Sequence, residues 1–503
     1  MRGRQAKEHP MISFQNHPAH RHKRRTFLAD CGMGITGLAL GSLLQQDGVS
    51  RASEETPWSP PTGKPMFEPA AKSVIWIFLS GGYSQLETFD PKPALNKYAG
   101  KTFQETPFAD PLKSPVHDKR SRSVIEKVRE KYAKIYPMQI GWRKHGESGI
   151  KVSDWLPNIA SCVDDLCFVR NMWTTDNDHA AENQIHTGRH KLDETQPSVG
   201  AWVTYGLGSL NENLPQFLVL GGPTRSDTRA SFDSYYLGQK YAGIPLAVGL
   251  KNPLPYGTRS ADILAEEQRN EFELAGKLNR LAAIEYPEDD SVRARIRSYE
   301  LAYRMQTAVP EAVSLSAETK ETQQLYGLDN ANTKVAGQRM LAARRLVERG
   351  VRFVQVYPSP YGVWDSHKAL RRNHGTQTAK IDKPVAGLIK DLKRRGLLDS
   401  TLVVFCTEFG RTPAVEERGG GTDGRDHHPH GFTVFFAGGG IKRGYVHGST
   451  DELGFHADDN GHYITDIHAT VLNRMGLDGR RLEIPGRKRL DIDHGQPITD
   501  IFL

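Results

Sequence analysis

Carboxylate and hydroxyl side chains follow the first apolar run of this chain, residues 73–79. Ser84 and Thr88 bring hydroxyl groups that could act as nucleophiles, and Glu87 and Asp90 bring carboxylates. A nucleophile is activated by a neighbouring base or metal, and carboxylate oxygens bind hard divalent ions. The segment is therefore a candidate for one side of a hydrolytic site.

Further along the chain, histidines join the carboxylates after several of the later apolar runs. His179 and His186 are seven residues apart, which is two helical turns, so they could face the same way. The candidate metal ligands are Asp365, His367, Glu408, His427 and His428, with Glu87, Asp90, His179, His186 and Asp426 as further candidates.

Imidazole nitrogens and carboxylate oxygens together are the ligand types of a divalent-metal site. Ligands in an open parallel sheet bind at the carboxyl ends of the strands, so residues far apart in sequence can meet there. The sequence predicts a divalent metal cofactor, with Zn, Ca and Mg or Mn left open. The alternative for Glu408 is a structural ion pair with Arg411.

Alternation of buried-strand runs with helical patterns predicts a doubly wound, mostly parallel α/β sheet. The predicted strands are 73–79, 166–169, 217–220, 351–357, 402–406 and 432–436, and the predicted helices are 260–282, 288–308, 333–349 and 376–396. Residues 95–150 and 221–260 are polar and rich in Pro and Gly, which predicts irregular insertions at the rim.

Charge gives no support for a nucleic-acid partner. The 503 residues carry a formal net charge of +7, but residues 1–52 hold eight Lys or Arg and three acidic residues. The remainder has a net charge of only +2, far from the basic surface that nucleic-acid binding needs.

The first 52 residues have the order of a twin-arginine export signal. A polar region rich in His and Arg precedes Arg24 and Arg25, and a weakly apolar stretch at 35–44 follows, too short to span a membrane. The alternative is a disordered basic tail. We expect a signal at 1–52, a linker at 53–70 and one domain at 71–503. The protein would then use the twin-arginine translocase, be periplasmic or secreted, and have no transmembrane helix when mature.

Three cysteines lie after this signal, at positions 162, 167 and 406. An odd number cannot all pair, and Cys406 lies within an apolar run. Cys162 and Cys167 could form a disulfide in an oxidising compartment, and the sequence leaves their redox state open.

Several segments resemble the alkaline-phosphatase/sulfatase superfamily. Residues 396–410 look like the helix–strand–Asp-His-Gly segment of sulfatases and nucleotide pyrophosphatases. Residues 435–444 resemble their Pro-Gly-Ile-Lys-x-Gly turn, and residues 465–472 resemble a later helix. The motifs GGYSQLETFDPKP, PSVGAW, TEFGRTP and GRDHHP look like family 1501 of the domain-of-unknown-function series, whose members are exported proteins placed in this superfamily.

The resemblance implies a metal-assisted attack on a phosphate or sulfate ester. By position, Glu408 stands where the superfamily has a metal-binding Asp, Asp365 and His367 stand near its Asp…His pair, and His427 or His428 stands near a later ligand. This chain departs from the pattern where Phe409 occupies the place of a ligand His, and it lacks the Cys-x-Pro-Ser-Arg segment of true sulfatases.

Two functions are consistent with these features. The first is an exported, metal-dependent hydrolase whose partner is a small anionic ester or a sulfated or phosphorylated polymer. The alternative is a non-catalytic relative that acts as a binding or structural protein, because a fold alone does not imply a function.

Overall fold

The structure is a computed structural model. It describes residues 63–116, 134–190, 192–222, 230–250, 253–254, 264–285, 301, 303–306, 308–415, 423–458, 460–484, 486–487 and 489–503. These residues belong to one compact unit that spans Pro60–Leu503. The predicted export signal at 1–52 lies outside the described residues and stays a prediction.

The described chain alternates strands and helices, as the sequence predicts, and the helix predicted at 288–308 lies mostly outside the described residues. The strands are β1 (Ser73–Phe78), β2 (Trp142–His145), β3 (Ile150–Ser153), β4 (Leu166–Trp173), β5 (Phe217–Leu220), β6 (Ile244–Leu246), β7 (Phe353–Val356), β8 (Thr401–Cys406), β9 (Gly410–Arg411), β10 (His427–His428), β11 (Phe432–Ala437), β12 (Tyr445–His447) and β13 (His462–Tyr463). The helices are α1 (Pro93–Lys97), α2 (Pro157–Ala160), α3 (Ala181–Thr187), α4 (Val199–Leu207), α5 (Ala265–Glu285), α6 (Lys320–Leu325), α7 (Ala331–Glu348), α8 (Leu370–Arg394) and α9 (Ile464–Arg474).

Nine of the described strands form one large sheet. Its order is β12-β4-β11-β8-β1-β7-β5-β6, with β13 also paired to β4. The five strands predicted near residues 73, 166, 351, 402 and 432 all belong to it, so this prediction is confirmed.

The sheet is parallel except at one position. Strand β1 pairs in parallel with β7 and β8, and β5 pairs in parallel with β6 and β7. Strand β11 alone runs the other way, antiparallel to both of its neighbours β4 and β8. The mostly parallel α/β class is therefore confirmed, with one reversed strand that the sequence pattern did not reveal.

Helices cover both faces of the sheet, which explains why its strands are apolar throughout. All six residues of β1 are buried. Ile75 and Ile77 pack into a core with helices α7 and α8, whereas Val74 and Trp76 pack into a second core with α4 and α9. Alternation of side chains along the strand thus fills two separate cores.

The two segments expected to be irregular insertions differ from each other. The described part of 95–150 is short helical turns and one strand of the β2–β3 hairpin, as expected for a rim segment. In the segment 221–260, however, β6 joins the central sheet as its edge strand beside β5. The prediction was wrong for these three residues, because Ile244-Pro245-Leu246 is too short a run to stand out.

The cysteines and the end of the predicted linker are also placed. All three described cysteines are free and buried. Cys162 packs in one core and Cys167 in the other, so the sheet separates them.

Within the predicted linker, the amide of Met66 donates to the carbonyl of Gly476 at 2.8 Å, so this part of the segment packs on the domain.

Among the residues that the structure describes, none of the helices combines the length and the apolar composition that crossing a membrane requires.

Candidate metal centre

One edge of the sheet gathers the candidate ligands. Strands β4, β7 and β8 run in the same direction and are followed by His179, Asp365 and Glu408, respectively. Because β11 is reversed, the residues that precede it reach this same edge, and His427 is one of them. The reversed strand therefore brings a segment to the site that would otherwise enter from the opposite edge.

Two glycines let the backbone close around this edge. Gly81 and Gly82 follow β1 with φ angles of +116° and +73°, which residues that carry a side chain rarely adopt. A Cβ atom on Gly81 would lie 2.7 Å from the backbone nitrogen of Asp365. The end of β1 can approach Asp365 this closely only because residue 81 has no side chain.

Asp365 lies at the centre of the site. Its Oδ1 atom lies 2.9 Å from His367 Nε2, 3.0 Å from His427 Nε2 and 2.7 Å from the Arg411 guanidinium. Its Oδ2 atom lies 3.0 Å from His179 Nε2. The Asp365 side chain is 25% exposed, so a small solute can reach it.

His427 has a fixed tautomer. Its Nδ1 atom lies 2.8 Å from the backbone carbonyl oxygen of Asn177, which can only accept, so Nδ1 carries the proton. In the neutral ring Nε2 then presents its lone pair to Asp365 Oδ1, a second acceptor. Burial lowers the pKa of His427 well below its ordinary value, so the ring stays neutral and Nε2 has no proton to donate to Asp365. Two acceptors at this distance repel each other unless positive charge lies beside them; the Arg411 guanidinium is one such charge, and a bound cation would be another.

The spacing of the ligand atoms fits a metal ion. His367 Nε2 lies 3.0 Å from His427 Nε2, so these two nitrogens and Asp365 Oδ1 form a nearly equilateral triangle. Two ligands of a tetrahedral zinc ion, each bonded at about 2.0–2.1 Å, lie roughly 3.3 Å apart. The observed triangle is only slightly tighter than such a site.

Two overlapping sets of ligands meet at His427. One set is His179, Asp365 and His427, and the other is His367, Asp426 and His427. Within each set the ligand atoms lie within 4.8 Å of one another. Because Nε2 of His427 has one lone pair, the sets are not independent sites.

His179 and Glu408 complete the site on the side of β8. Burial opposes protonation of His179, but the carboxylates of Asp365 and Glu408 outweigh it and raise the pKa of His179 to about 9. Burial also opposes ionisation of Asp365, yet hydrogen bonds from His179 and His367 and the charge of Arg411 hold its pKa well below the ordinary range. A proton on His179 thus supplies positive charge where a metal ion would otherwise supply it.

Glu408 is buried and accepts from the Gly81 amide at 2.7 Å and the Thr407 hydroxyl at 3.0 Å. Its Oε1 atom also lies 3.4 Å from His179 Nδ1. The alternative of a Glu408–Arg411 ion pair was wrong, because the Arg411 guanidinium contacts Asp365 instead.

His428 lies outside the cluster although it adjoins His427. Strand β10 pairs with β9, and successive side chains of a strand point to opposite sides. The His428 ring accordingly packs on Phe455 at 4.4 Å between ring centroids, and its Nε2 contacts the Phe455 carbonyl. Of the two adjacent histidines predicted as ligands, the structure brings only His427 to Asp365.

His186 also points away from the cluster. It lies on α3 with its ring 4.6 Å from the Phe78 ring and 5.8 Å from the Trp76 ring, inside one of the two cores. Burial lowers its pKa well below the ordinary value. The two-turn spacing from His179 failed to predict this because α3 begins only at Ala181, after His179.

The candidate residues that follow β1 form a separate buried network. Glu87 makes an ion pair with Arg425 at 2.7 Å and also accepts from the Ser84 hydroxyl. The Thr88 hydroxyl donates to the Ser84 backbone carbonyl at 2.8 Å. Asp90 accepts from the Thr450 hydroxyl at 2.5 Å. None of these contacts, among those the structure describes, joins the histidine cluster.

Sequence reasoning missed two positioning groups. The Asn177 carbonyl fixes the tautomer of His427, but a backbone contact leaves no signal in residue type. Phe409 stacks on the His427 ring, with 4.4 Å between centroids. The resemblance treated Phe409 as a missing ligand, whereas the structure shows it as an apolar wall that holds a ligand in place.

Ser366 and His374 look like a nucleophile and base but have the wrong tautomer. His374 Nε2 accepts from the Ser84 amide at 2.9 Å, so Nδ1 carries the proton and donates to the Ser366 hydroxyl at 3.0 Å. An imidazole that donates to a hydroxyl cannot remove its proton. Ser366 is therefore not an activated nucleophile in this arrangement.

A family model described as "Protein of unknown function (DUF1501)" matches residues 71–502. The chain belongs to this family. No curated protein matches the DUF1501 chain.

Several solved structures resemble the DUF1501 chain at low identity. The lipoteichoic acid synthase LtaP from Listeria monocytogenes is 10% identical over 88% of this chain and 80% of its own, with a TM-score of 0.35. The phosphonate monoester hydrolase SpPMH from Silicibacter pomeroyi is 11% identical over 66% and 73%, with a TM-score of 0.33. The alkaline phosphatase from the Antarctic bacterium TAB5 is 9% identical over 75% and 95%, with a TM-score of 0.30. Likeness at this level does not transfer an activity.

Proposed function

We propose that this protein is a metal-dependent hydrolase of phosphate or sulfate esters. The observation that carries the proposal is the contact between His427 Nε2 and Asp365 Oδ1, two acceptors 3.0 Å apart. The donor set around them, imidazole nitrogens with a carboxylate, suits a divalent ion such as zinc. The segments that resemble those of sulfatases and nucleotide pyrophosphatases support an anionic ester as the substrate.

Asp365 and His427 would hold the ion, with His367 or His179 as the next ligand. When bound, a divalent ion polarises an ester oxygen and stabilises the negative charge that develops on it. The residues around the ligands keep them in position. Arg411 fixes Asp365, the Asn177 carbonyl fixes the His427 ring, and Gly81 allows the close approach of β1.

A water molecule is the nucleophile in this proposal. The hydroxyls of Ser84 and Thr88 donate within the network that follows β1. The Ser366 hydroxyl accepts a hydrogen bond from His374 Nδ1, which is already protonated and so cannot remove the hydroxyl proton. These contacts favour a solvent nucleophile over the side-chain nucleophiles that the sequence suggested.

The test is a pair of neighbouring variants, His427→Gln and His428→Gln. The two residues are adjacent and buried, but only His427 contacts Asp365. We expect His427→Gln to lose the metal equivalent bound at Asp365 and to lose hydrolysis of aryl phosphate or aryl sulfate, whereas His428→Gln keeps both. Metal analysis by mass spectrometry and a chromogenic ester assay give the two readouts.

Glu408→Gln provides an independent check, because it keeps the size of the side chain and removes its charge. We expect metal content and ester hydrolysis to fall together. Metal binding without hydrolysis of either ester class would instead support the alternative, a non-catalytic metal-binding relative. Equal metal content in all three variants would refute the metal centre.

We further propose that Arg24 and Arg25 direct export of the folded protein to the periplasm or beyond. Paired arginines before a weakly apolar stretch support this route. Changing both to Lys should retain the precursor in the cytoplasm, as measured by fractionation and immunoblotting. Unchanged export of the double variant would contradict the twin-arginine route.

A further inference from the structure

A second pair of histidines meets at the outer side of β4. Strands β12 and β13 follow one another along β4, pairing with residues 167–169 and 172–173, respectively. His447 ends β12 and His462 begins β13, so the chain leaves β4 and returns to it between them. Their Nε2 atoms lie 2.9 Å apart, and their ring centroids lie 5.0 Å apart.

A carboxylate fixes the tautomer of His462. Its Nδ1 atom lies 3.1 Å from Asp466 Oδ2, in the first turn of α9. A carboxylate oxygen accepts, so Nδ1 carries a proton, and in the neutral ring Nε2 of His462 presents its lone pair to His447. The backbone amide of Gln496 donates to the other oxygen of Asp466 at 2.8 Å and holds that side chain in place. Proteins commonly place a carboxylate in this way behind a metal-binding imidazole.

We propose that His447 and His462 form a second metal site, which binds a divalent ion of the zinc, nickel or copper type. Imidazole nitrogens suit these ions rather than calcium or magnesium. The His462 side chain is 20% exposed, so water can supply the remaining ligands. Strands β4 and β11 lie between β12 and β8 in the sheet, which separates this pair from Glu408 at the Asp365 centre.

An ion at this position would join the two ends of the segment 448–461. That segment contains His456, whose Nε2 contacts the Pro111 carbonyl at 2.9 Å, and Asp458, whose carboxylate accepts from Asn171 at 2.9 Å. Because an ion that binds only the folded protein stabilises it, the site would strengthen attachment of this segment to β4. The competing arrangement is a plain hydrogen bond, in which His447 Nε2–H donates to His462.

Zinc titration of the metal-stripped protein distinguishes the two arrangements. In a His427→Gln background, which removes the Asp365 centre, calorimetry should still find one zinc equivalent and zinc should still raise the melting temperature. Adding His462→Gln should abolish both effects. Adding Asp466→Asn should leave one equivalent of zinc bound but lower the zinc affinity by about 10–100-fold, as for other carboxylates that hydrogen-bond a metal-binding imidazole. Adding His145→Gln, on the β2–β3 hairpin, is the matched control and should change nothing.

Protection from chemical modification tests the site without any variant. Zinc should slow carbethoxylation of His447 and His462 by diethyl pyrocarbonate in the parent protein, as read by peptide mass spectrometry. The proposal is overturned if zinc leaves the modification of both residues unchanged. It is also overturned if the double variant, with His427→Gln and His462→Gln, still binds one equivalent of zinc.

Discussion

Two buried arginines each contact a carboxylate near the carboxyl end of β1, and the two pairs differ in what else surrounds them. Glu87 pairs with Arg425, and both side chains are fully buried. Asp365 pairs with Arg411, but the Asp365 side chain is 25% exposed. The sequence suggested both carboxylates for chemistry, Asp365 as a candidate ligand and Glu87 as a further candidate.

The remaining neighbours of each carboxylate decide its role. Around Glu87 they are donors, the Ser84 hydroxyl and the backbone amide of Gln139. The negative charge of Glu87 is therefore balanced by Arg425, and its oxygens are hydrogen-bonded. Around Asp365 they are imidazoles, and one of them presents a lone pair to the carboxylate. A carboxylate that its neighbours fully satisfy is structural, whereas one that faces another acceptor is poised to bind a cation.

The largest expected effect is that of Asp365→Asn on the proposed activity. The change removes the charge that the cluster shares and leaves Arg411 without its ion-pair partner. We expect metal content to fall and ester hydrolysis to fall by at least about 100-fold, the upper range for loss of even an outer-shell partner. Metal analysis and the aryl-ester assay measure this. Retention of both would mean that Asp365 is as structural as Glu87.

The complementary change, Glu87→Gln, should affect stability rather than metal binding. It leaves the buried Arg425 charge without its partner, a loss that costs about 3–5 kcal/mol. We expect a lower free energy of unfolding in denaturant titration and unchanged metal content in the folded protein. Loss of metal at full stability would contradict the distinction between the two pairs.

An intermediate effect should appear in the pH dependence of stability. Burial and the nearby charges of Arg411 and Arg425 lower the pKa of His374 to about 3. In the unfolded chain a histidine titrates near 6.5, so between about pH 6.5 and 3 the unfolded state binds the extra proton. Stability should therefore fall with decreasing pH across this window, at up to about 1.4 kcal/mol per pH unit for this one group.

His374→Gln should flatten that slope, because Gln can accept from the Ser84 amide and donate to Ser366 without titrating. Denaturant titrations at several pH values measure the slope for both proteins. An identical slope in the variant would assign the acid sensitivity to other buried histidines, such as His468, whose pKa burial lowers to about 4.

The smallest expected effect is that of Ala369→Gly. Ala369 has a φ angle of +50° just before α8, two residues after His367. Glycine adopts this conformation without strain but loses more entropy on folding, so we expect a gain of no more than about 1 kcal/mol. Thermal unfolding measures the gain, and metal affinity should not change. Weaker metal binding would show that the strained backbone helps to position His367.

Much of this fold follows from its apolar runs. Each of the five strands predicted to share one sheet is a continuous buried run, and the apolar face of α8 was visible as Ile381, Val385 and Leu388. The start of α8 was not visible, because residues 370–375 are mostly polar. The reversed direction of β11 could not be predicted either, since a strand buried on both faces has the same composition in either direction.

The site could be predicted only in part for a related reason. Residue type and position after a strand identified Asp365, His427 and Glu408, because the sheet brings strand ends together. They did not separate His427 from His428, which required the register of the short β9–β10 pair. Nor did they reveal that Arg425, distant in sequence, neutralises Glu87.

The order of strands in the sheet also determines when this protein can fold during synthesis. Strand β1 is made early but lies between β7 and β8, with Val74 beside Phe353 and Ser73 beside Thr401. At about 5–20 residues per second, the ribosome needs roughly 15–65 s to make the intervening chain. Until β8 is made, the apolar segment from Val74 to Phe78 lacks at least one of its two strand neighbours and is prone to aggregation. A chaperone that shields this segment until β8 is made would increase the yield of folded protein.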